Sequence, residues 1–193
     1  MKPALIISDM LVDFIRPDGP MPVGEEGLKI IPGLQTAIGF CRREAIPVVY
    51  SNDALLPDDF LFKSRAKPHA IRGTAGAQVI SELQPEAGDV IVHKPRFSAF
   101  FRTGLENTLR ELSVDTVVIG GVATEVCVLG TAYDAVCHNF KVIVLEDCCA
   151  SRFPETRDQV LDLLRKSPLY PLLKVMTLAD FRQMVCGRKR ERE

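Results

Sequence analysis

The sequence predicts an α/β protein: a doubly wound, mainly parallel six-stranded sheet with helices on both faces. Three observations predict it. Short apolar, β-rich runs alternate with longer helix-like segments along the 193 residues, the rhythm of right-handed βαβ crossovers. The runs Val-Val-Ile-Gly (117–120) and Val-Ile-Val-Leu (142–145) are apolar at successive positions, as in strands covered on both faces. Polar residues follow several runs directly, where open α/β sheets place their sites.

In chain order, the first strand spans Ala4–Asp9. It follows Met-Lys-Pro and reaches an acidic residue within a few positions, which is unlike a secretory signal. A helix over Ile30–Glu44 leads to a strand at Pro47–Ser51. A helix over Ala77–Leu83 precedes the strand Asp89–His93, and a helix over Gly104–Leu112 precedes Thr116–Gly120. The segment Glu125–His138 reads as the next helix and Lys141–Glu146 as the fifth strand. Pro154–Lys166 carries Val160, Leu163 and Leu164 at helical spacing among charges, with Pro154 at its start, both helix signals. A weaker sixth strand covers Lys174–Thr177, and a short helix covers Leu178–Val185. Two long loops, Pro17–Gly27 and Asp53–Gly76, interrupt the pattern, and long loops in compact domains are often functional.

The length suits one domain, read as residues 1–186, followed by a charged tail over 187–193 with the sequence Gly-Arg-Lys-Arg-Glu-Arg-Glu. Its mixed sign fits a solvated end rather than a nucleic-acid arm. The formal net charge is −1, which gives no bulk electrostatic reason to bind nucleic acid or acidic membranes. No apolar run approaches a membrane span. The six cysteines show no Cys-x-x-Cys pair and no zinc-ligand spacing, so reduced thiols in a cytoplasmic setting are expected. The vicinal Cys148–Cys149 reads as two small residues at a strand exit, with a redox pair as the other reading.

Chemistry concentrates at three strand ends. Cys127 lies in Val-Val-Ile-Gly-Gly-Val-Ala-Thr-Glu-Val-Cys-Val (117–128), a strand, a turn and the start of a helix. Amides that open a helix are unpaired and carry the positive end of its dipole, which favours a thiolate and can hold an oxyanion. Asp9, at the mouth of the first strand, has the chemistry to accept the thiol proton. Lys94, at the mouth of the third, has the chemistry to hold Asp9 and favour the thiolate. Taken singly, each also has a structural reading: a turn cap, a surface lysine before Pro95, a small core residue. Together they suit attack on an amide-like carbon. His93 points away from Lys94 by strand alternation, and His138 closes a helix. No dinucleotide or ATP glycine motif occurs.

These residues resemble the isochorismatase-like cysteine hydrolases, a group that includes nicotinamidases and N-carbamoylsarcosine amidases. Ser8-Asp9-Met10-Leu11-Val12-Asp13-Phe14 is similar to that group's D-M-Q-x-D-F. Lys94-Pro95-Arg96-Phe97-Ser98-Ala99-Phe100 is similar to K-x-x-[YF]-S-A-F, and Gly120–Val128 to G-x-x-T-x-x-C-V. Gly73-Thr74-Ala75-Gly76 and Asp147 also match. The resemblance implies an isochorismatase-like, Rossmann-like three-layer fold. It implies a catalytic triad of Asp9, Lys94 and Cys127, and a cis peptide between Val122 and Ala123 that aims the amides of Ala123 and Cys127 at an oxyanion. Phe14 and Phe97 would line the substrate pocket.

The implied activity is cleavage of a C–N bond in a small amide, ureido or carbamoyl compound through a thioester. Cys127 argues against the branch that cleaves a vinyl ether without a cysteine. Two other readings stand beside it: a metal-dependent nicotinamidase, and a catalytically silent binding protein. No cofactor is required. A zinc-like divalent metal would need a set of which only Asp53 and His69 match, because Leu55 stands where nicotinamidases have His. Asp58 or Asp59 would have to supply the third ligand. The resemblance also implies a homo-oligomer.

Overall fold

The computed structural model describes the backbone of residues 1–190 and the side chains of residues 1–187. Six parallel strands form one sheet in the order β3-β2-β1-β4-β5-β6. They are β1 (Pro3–Ser8), β2 (Val48–Asp53), β3 (Val90–Lys94), β4 (Thr116–Val122), β5 (Lys141–Ala150) and β6 (Leu173–Met176). All six lie where the apolar runs predicted, within a few residues at each end. Strand order reverses between β1 and β4, so the crevice beyond their carboxyl ends is the topological switch point of the sheet.

The two faces of the sheet carry separate cores. Leu5 and Ile7 of β1 pack with Leu34, Ile38 and Phe181 on one face. Ala4 and Ile6 pack with Leu109, Ala132 and Leu161 on the other. This period-2 alternation explains why the runs are apolar throughout: each neighbouring residue fills a different layer. The first layer is α3 (Ile31–Arg43) and α7 (Leu178–Arg190). The second is α4 (Leu105–Glu111), α5 (Leu129–Cys137) and α6 (Pro154–Arg165). Cys148 belongs to the first core and Cys149 to the second, so adjacent sulfurs face opposite sides of the sheet and do not form a redox pair.

Several expectations change. The segment 77–83 is not a helix but two 3₁₀ turns, Ala75–Ala77 and Ser81–Leu83. Between them Val79 bridges antiparallel to Leu11, and Val12 and Ile80 exchange backbone bonds with Gln78 and Met10. Pairing with the chain leaving β1 satisfies amides that a helix would otherwise satisfy. The loop after α1 (Val12–Ile15) is shorter than expected, because α2 (Glu25–Lys29) begins inside it. The last helix runs to Arg190, into the expected tail, and residues 191–193 lie outside the described chain. No described helix is long and apolar enough to cross a membrane.

The β1–β4 contact brings the first motif against the third. Gly121 takes φ of 119°, and a Cβ there would stand 2.1 Å from the Ser8 carbonyl oxygen. Only glycine permits both the backbone angle and this approach.

Candidate active site

Asp9 is the first residue past β1 and adopts φ of 50°, a left-handed conformation that Asp tolerates better than most residues. The turn sends its carboxylate over the end of the sheet. Oδ1 accepts from the Asp53 amide at 2.7 Å, Oδ2 accepts from Ser8 Oγ at 3.3 Å, and Oδ2 lies 2.7 Å from Lys94 Nζ. Lys94 closes β3. Its neighbour His93 is exposed while Lys94 has no exposed surface, as strand alternation predicted. Nζ also donates to Asp53 Oδ1 and, at 3.6 Å, to Cys127 Sγ. The three residues expected to act together thus converge from three strand ends. Asp53, expected only as a weak metal ligand, joins them as a fourth.

Cys127 sits in a wide π-type helical turn, Thr124–Val128, that precedes α5. The Val122–Ala123 peptide is cis, as the resemblance implied. The thiol's state differs from expectation. Burial, followed by the nearby Asp9 carboxylate, pushes the Cys127 thiol well above its ordinary value, and Lys94 opposes this only in part. Desolvation thus works against the thiolate that the helix-opening amides favour. For Lys94, burial alone would favour the neutral amine. Asp9, with Asp53, reverses that and holds it charged, above its usual range. Burial and the Asp9 charge push Asp53 up to about 7, against the pull of Lys94.

The site opens into a cavity of about 370 Å³. Phe14 and Phe97 line it as expected, with Val122, Ala123, Val126 and Phe153. The two long loops meet at its mouth through Met21–Val23 and through Leu61, Ser64, Ala66 and His69. Asp13 of α1 touches both loops: its Oδ2 accepts the Ala70 amide at 2.7 Å, a Cβ on Gly76 would stand 2.1 Å from its carboxylate, and its carbonyl oxygen accepts the Met21 amide at 3.3 Å. Glu125 and Arg152 also face the cavity, and both were missed in the sequence. Glu125 Oε2 accepts from Ser151 Oγ at 2.5 Å. Arg152 lies 5.8 Å from the Phe153 ring centroid. Neither carries a sequence signal, since a charged residue in a turn looks like any solvated one.

Whether these residues fit a resident metal can be tested directly. Among the described residues, donor atoms of Asp9, Asp53 and Cys127 lie within 4.8 Å of one another. Lys94 Nζ already reaches all three, and an ammonium and a divalent cation repel and compete for the same oxygens. Leu55 is buried, bridges Ile71, and offers no ligand atom. His69 Nδ1 lies 2.6 Å from the Lys67 carbonyl oxygen, and its ring packs edge-on against Phe14 and Phe62. Asp58 is exposed, and Asp59 caps a turn and pairs with Arg96. The set does not fit a divalent metal, and His69 is a pocket wall.

Comparison with known proteins agrees with the geometry. An isochorismatase-like hydrolase from Alkaliphilus metalliredigens superposes with a TM-score of 0.88 at 37% identity, over 95% of this chain and 99% of that one. The N-carbamoylsarcosine amidase from Thermoplasma acidophilum gives 0.79 at 35% identity, over 92% and 96%. A pyrazinamidase from Pyrococcus horikoshii, solved in complex with zinc, gives 0.82 at 32%, over 92% and 100%. In sequence, the maleamate amidohydrolase of Pseudomonas putida is 28% identical over 166 residues, 81% of this chain and 76% of its own length. Relatives named for an activity are thus amidases and amidohydrolases. The isochorismatase domain model matches residues 3–180, and the chain belongs to the isochorismatase family.

Proposed function

We propose that this protein is a cysteine hydrolase that cleaves the C–N bond of a small amide, ureido or carbamoyl compound through a thioester intermediate. The observation that carries this reading is the contact of Lys94 Nζ with both Asp9 and Cys127 Sγ beside the cavity. A neutral thiol beside a buried carboxylate needs no standing thiolate. As Cys127 Sγ bonds to the substrate carbon, Asp9 takes its proton. Lys94 offsets the charge that passes from carboxylate to sulfur and oxygen. The amides of Ala123 and Cys127 would receive the oxyanion. Collapse breaks the C–N bond, and Asp9 returns the proton to the departing nitrogen, which leaves as ammonia or an amine. Water then attacks the thioester, Asp9 takes one of its protons, and breaking of the C–S bond returns that proton to sulfur.

Maleamate and N-carbamoylsarcosine, for which two relatives are named, both carry a carboxylate beside the scissile amide. Arg152, on the cavity wall with an aromatic contact and no ion pair among the described residues, fits that group, while Phe14, Phe97 and Phe153 fit a short carbon skeleton. The metal-dependent nicotinamidase reading loses support at Leu55. The test is ammonia release from maleamate, N-carbamoylsarcosine and nicotinamide, with intact-mass detection of an acyl adduct on Cys127. No ammonia and no adduct with any of them supports a catalytically silent member instead. The homo-oligomer implied by the resemblance is measurable by light scattering.

A further inference from the structure

We infer that Asp53 is a positioning residue, a second carboxylate clamp that seats the Lys94 ammonium beside Cys127, and not a metal ligand. The inference rests on the cysteine mechanism proposed above. Asp53 and Lys94 are directly paired across β2 and β3, so their side chains rise side by side from the same face of the sheet. An ammonium has three N–H donors and no acceptor. Lys94 Nζ finds three acceptors here: Asp9 Oδ2, Asp53 Oδ1 and Cys127 Sγ. Asp53 also fixes Asp9, through its main-chain amide to Oδ1 at 2.7 Å. One residue thus orders both the base and the cation.

The physical need is clear from the burial. Lys94 and Asp9 have 0% and 1% exposed side-chain surface. With Asp9 as its sole carboxylate, the ammonium would be drawn to that group and away from sulfur, and one N–H would lack a partner where water does not reach. Asp53 balances the pull from the opposite side. The charged groups facing Cys127 are Asp9 from the end of β1, Asp53 from β2 and Lys94 from β3, with Glu125, His69 and Arg152 farther out on the cavity wall. Of these, Asp53 can lose its charge while keeping its shape, through Asp53→Asn.

The experiment uses the full chain as wild type, Asp53→Asn and Asp53→Ala, with three readouts. The first is the pH dependence of Cys127 alkylation by iodoacetamide, read by peptide mass. The second is bound metal by elemental analysis, before and after EDTA. The third is kcat and KM on any amide the wild type hydrolyses. Removing the Asp53 charge while an acceptor still holds Nζ is expected to move the alkylation midpoint of Asp53→Asn down by about one pH unit, whereas in Asp53→Ala the ammonium draws back toward Asp9 and the midpoint falls clearly less. Asn keeps an acceptor for Nζ, so Asp53→Asn is expected to retain kcat within about tenfold, whereas Asp53→Ala loses about a hundredfold with KM little changed. EDTA is expected to leave the wild type unaltered. A near-stoichiometric metal in the wild type that Asp53→Asn fails to bind would overturn the inference, as would an alkylation midpoint identical in all three proteins. If the wild type hydrolyses no amide, the proposed function fails, while the alkylation and metal measurements still decide the role of Asp53.

Discussion

Lys94 Nζ stands 3.6 Å from Cys127 Sγ, although Lys94 has no exposed surface and its strand lies three places from β4, which leads into the cysteine's turn. The ends of the two intervening strands, β1 with Asp9 and β2 with Asp53, frame this contact, and its consequences can be measured.

Cys127→Ala is expected to abolish turnover, with a loss of about three orders of magnitude or more, while circular dichroism and the melting temperature stay near wild type. Cys127→Ser is expected to fail similarly, because a serine hydroxyl is far less acidic than a thiol and Asp9 is a weak base. Full amidase activity in Cys127→Ala on a verified substrate would end the proposed mechanism.

Removing the cation should cost more in stability than removing the sulfur. Lys94→Met leaves Asp9 and Asp53 as unpaired buried carboxylates, a defect of about 3–5 kcal/mol. Adding Asp9→Asn and Asp53→Asn removes those charges, so the triple variant is expected to melt above Lys94→Met. Both proteins should be inactive. Denaturant melts at neutral pH compare them, and a triple variant no more stable than the single one would refute the charge argument.

The dependence of stability on pH has a definite sign. Asp53 titrates at about 7 when folded and near 3.8 in an ordinary environment. Between these values the folded state holds the extra proton, so this residue's contribution falls as pH rises from about 4 to 7. Asp53→Asn is expected to flatten that part of the profile. Cys127, raised in the folded state, adds a second decline only above pH 9, where the unfolded thiol ionises first. Urea titrations at pH 5 and pH 7.5 for the two proteins measure the difference in slope.

Gly121→Ala is expected to destabilise the fold by more than about 2 kcal/mol. Its Cβ would meet Ser8 backbone atoms at 2.1 Å and 2.7 Å at a φ of 119°. Because that contact seats β1 against β4, activity should fall with stability. Differential scanning calorimetry provides the check, and an unchanged melting temperature would contradict the packing.

Arg152→Gln is expected to raise KM for maleamate by about tenfold or more, the loss of one charge-assisted pair, while a neutral amide of similar size is hydrolysed as before. Equal losses on both substrates would assign Arg152 a structural role.

Much of this protein is legible in its sequence. Val117–Gly120 and Val142–Leu145 report strands covered on both faces, because apolar residues at successive positions cannot be satisfied by a single layer. Polar residues directly after the apolar runs of β1 and β3 mark the candidate site, because a parallel sheet leaves its strand ends together. Asp9, Lys94 and Cys127 are found this way, before any coordinates. The sequence determines less where backbone pairing is non-local: 77–83 has helical spacing but pairs with Leu11, and nothing local encodes that partner. Only tertiary structure reveals the upward push on the Cys127 thiol, since desolvation depends on what surrounds a group and not on its neighbours in the chain. It also decided the partner of Asp53. A carboxylate at a strand end is open to metal, base or ammonium, and only the register of β2 against β3 brings it to Lys94.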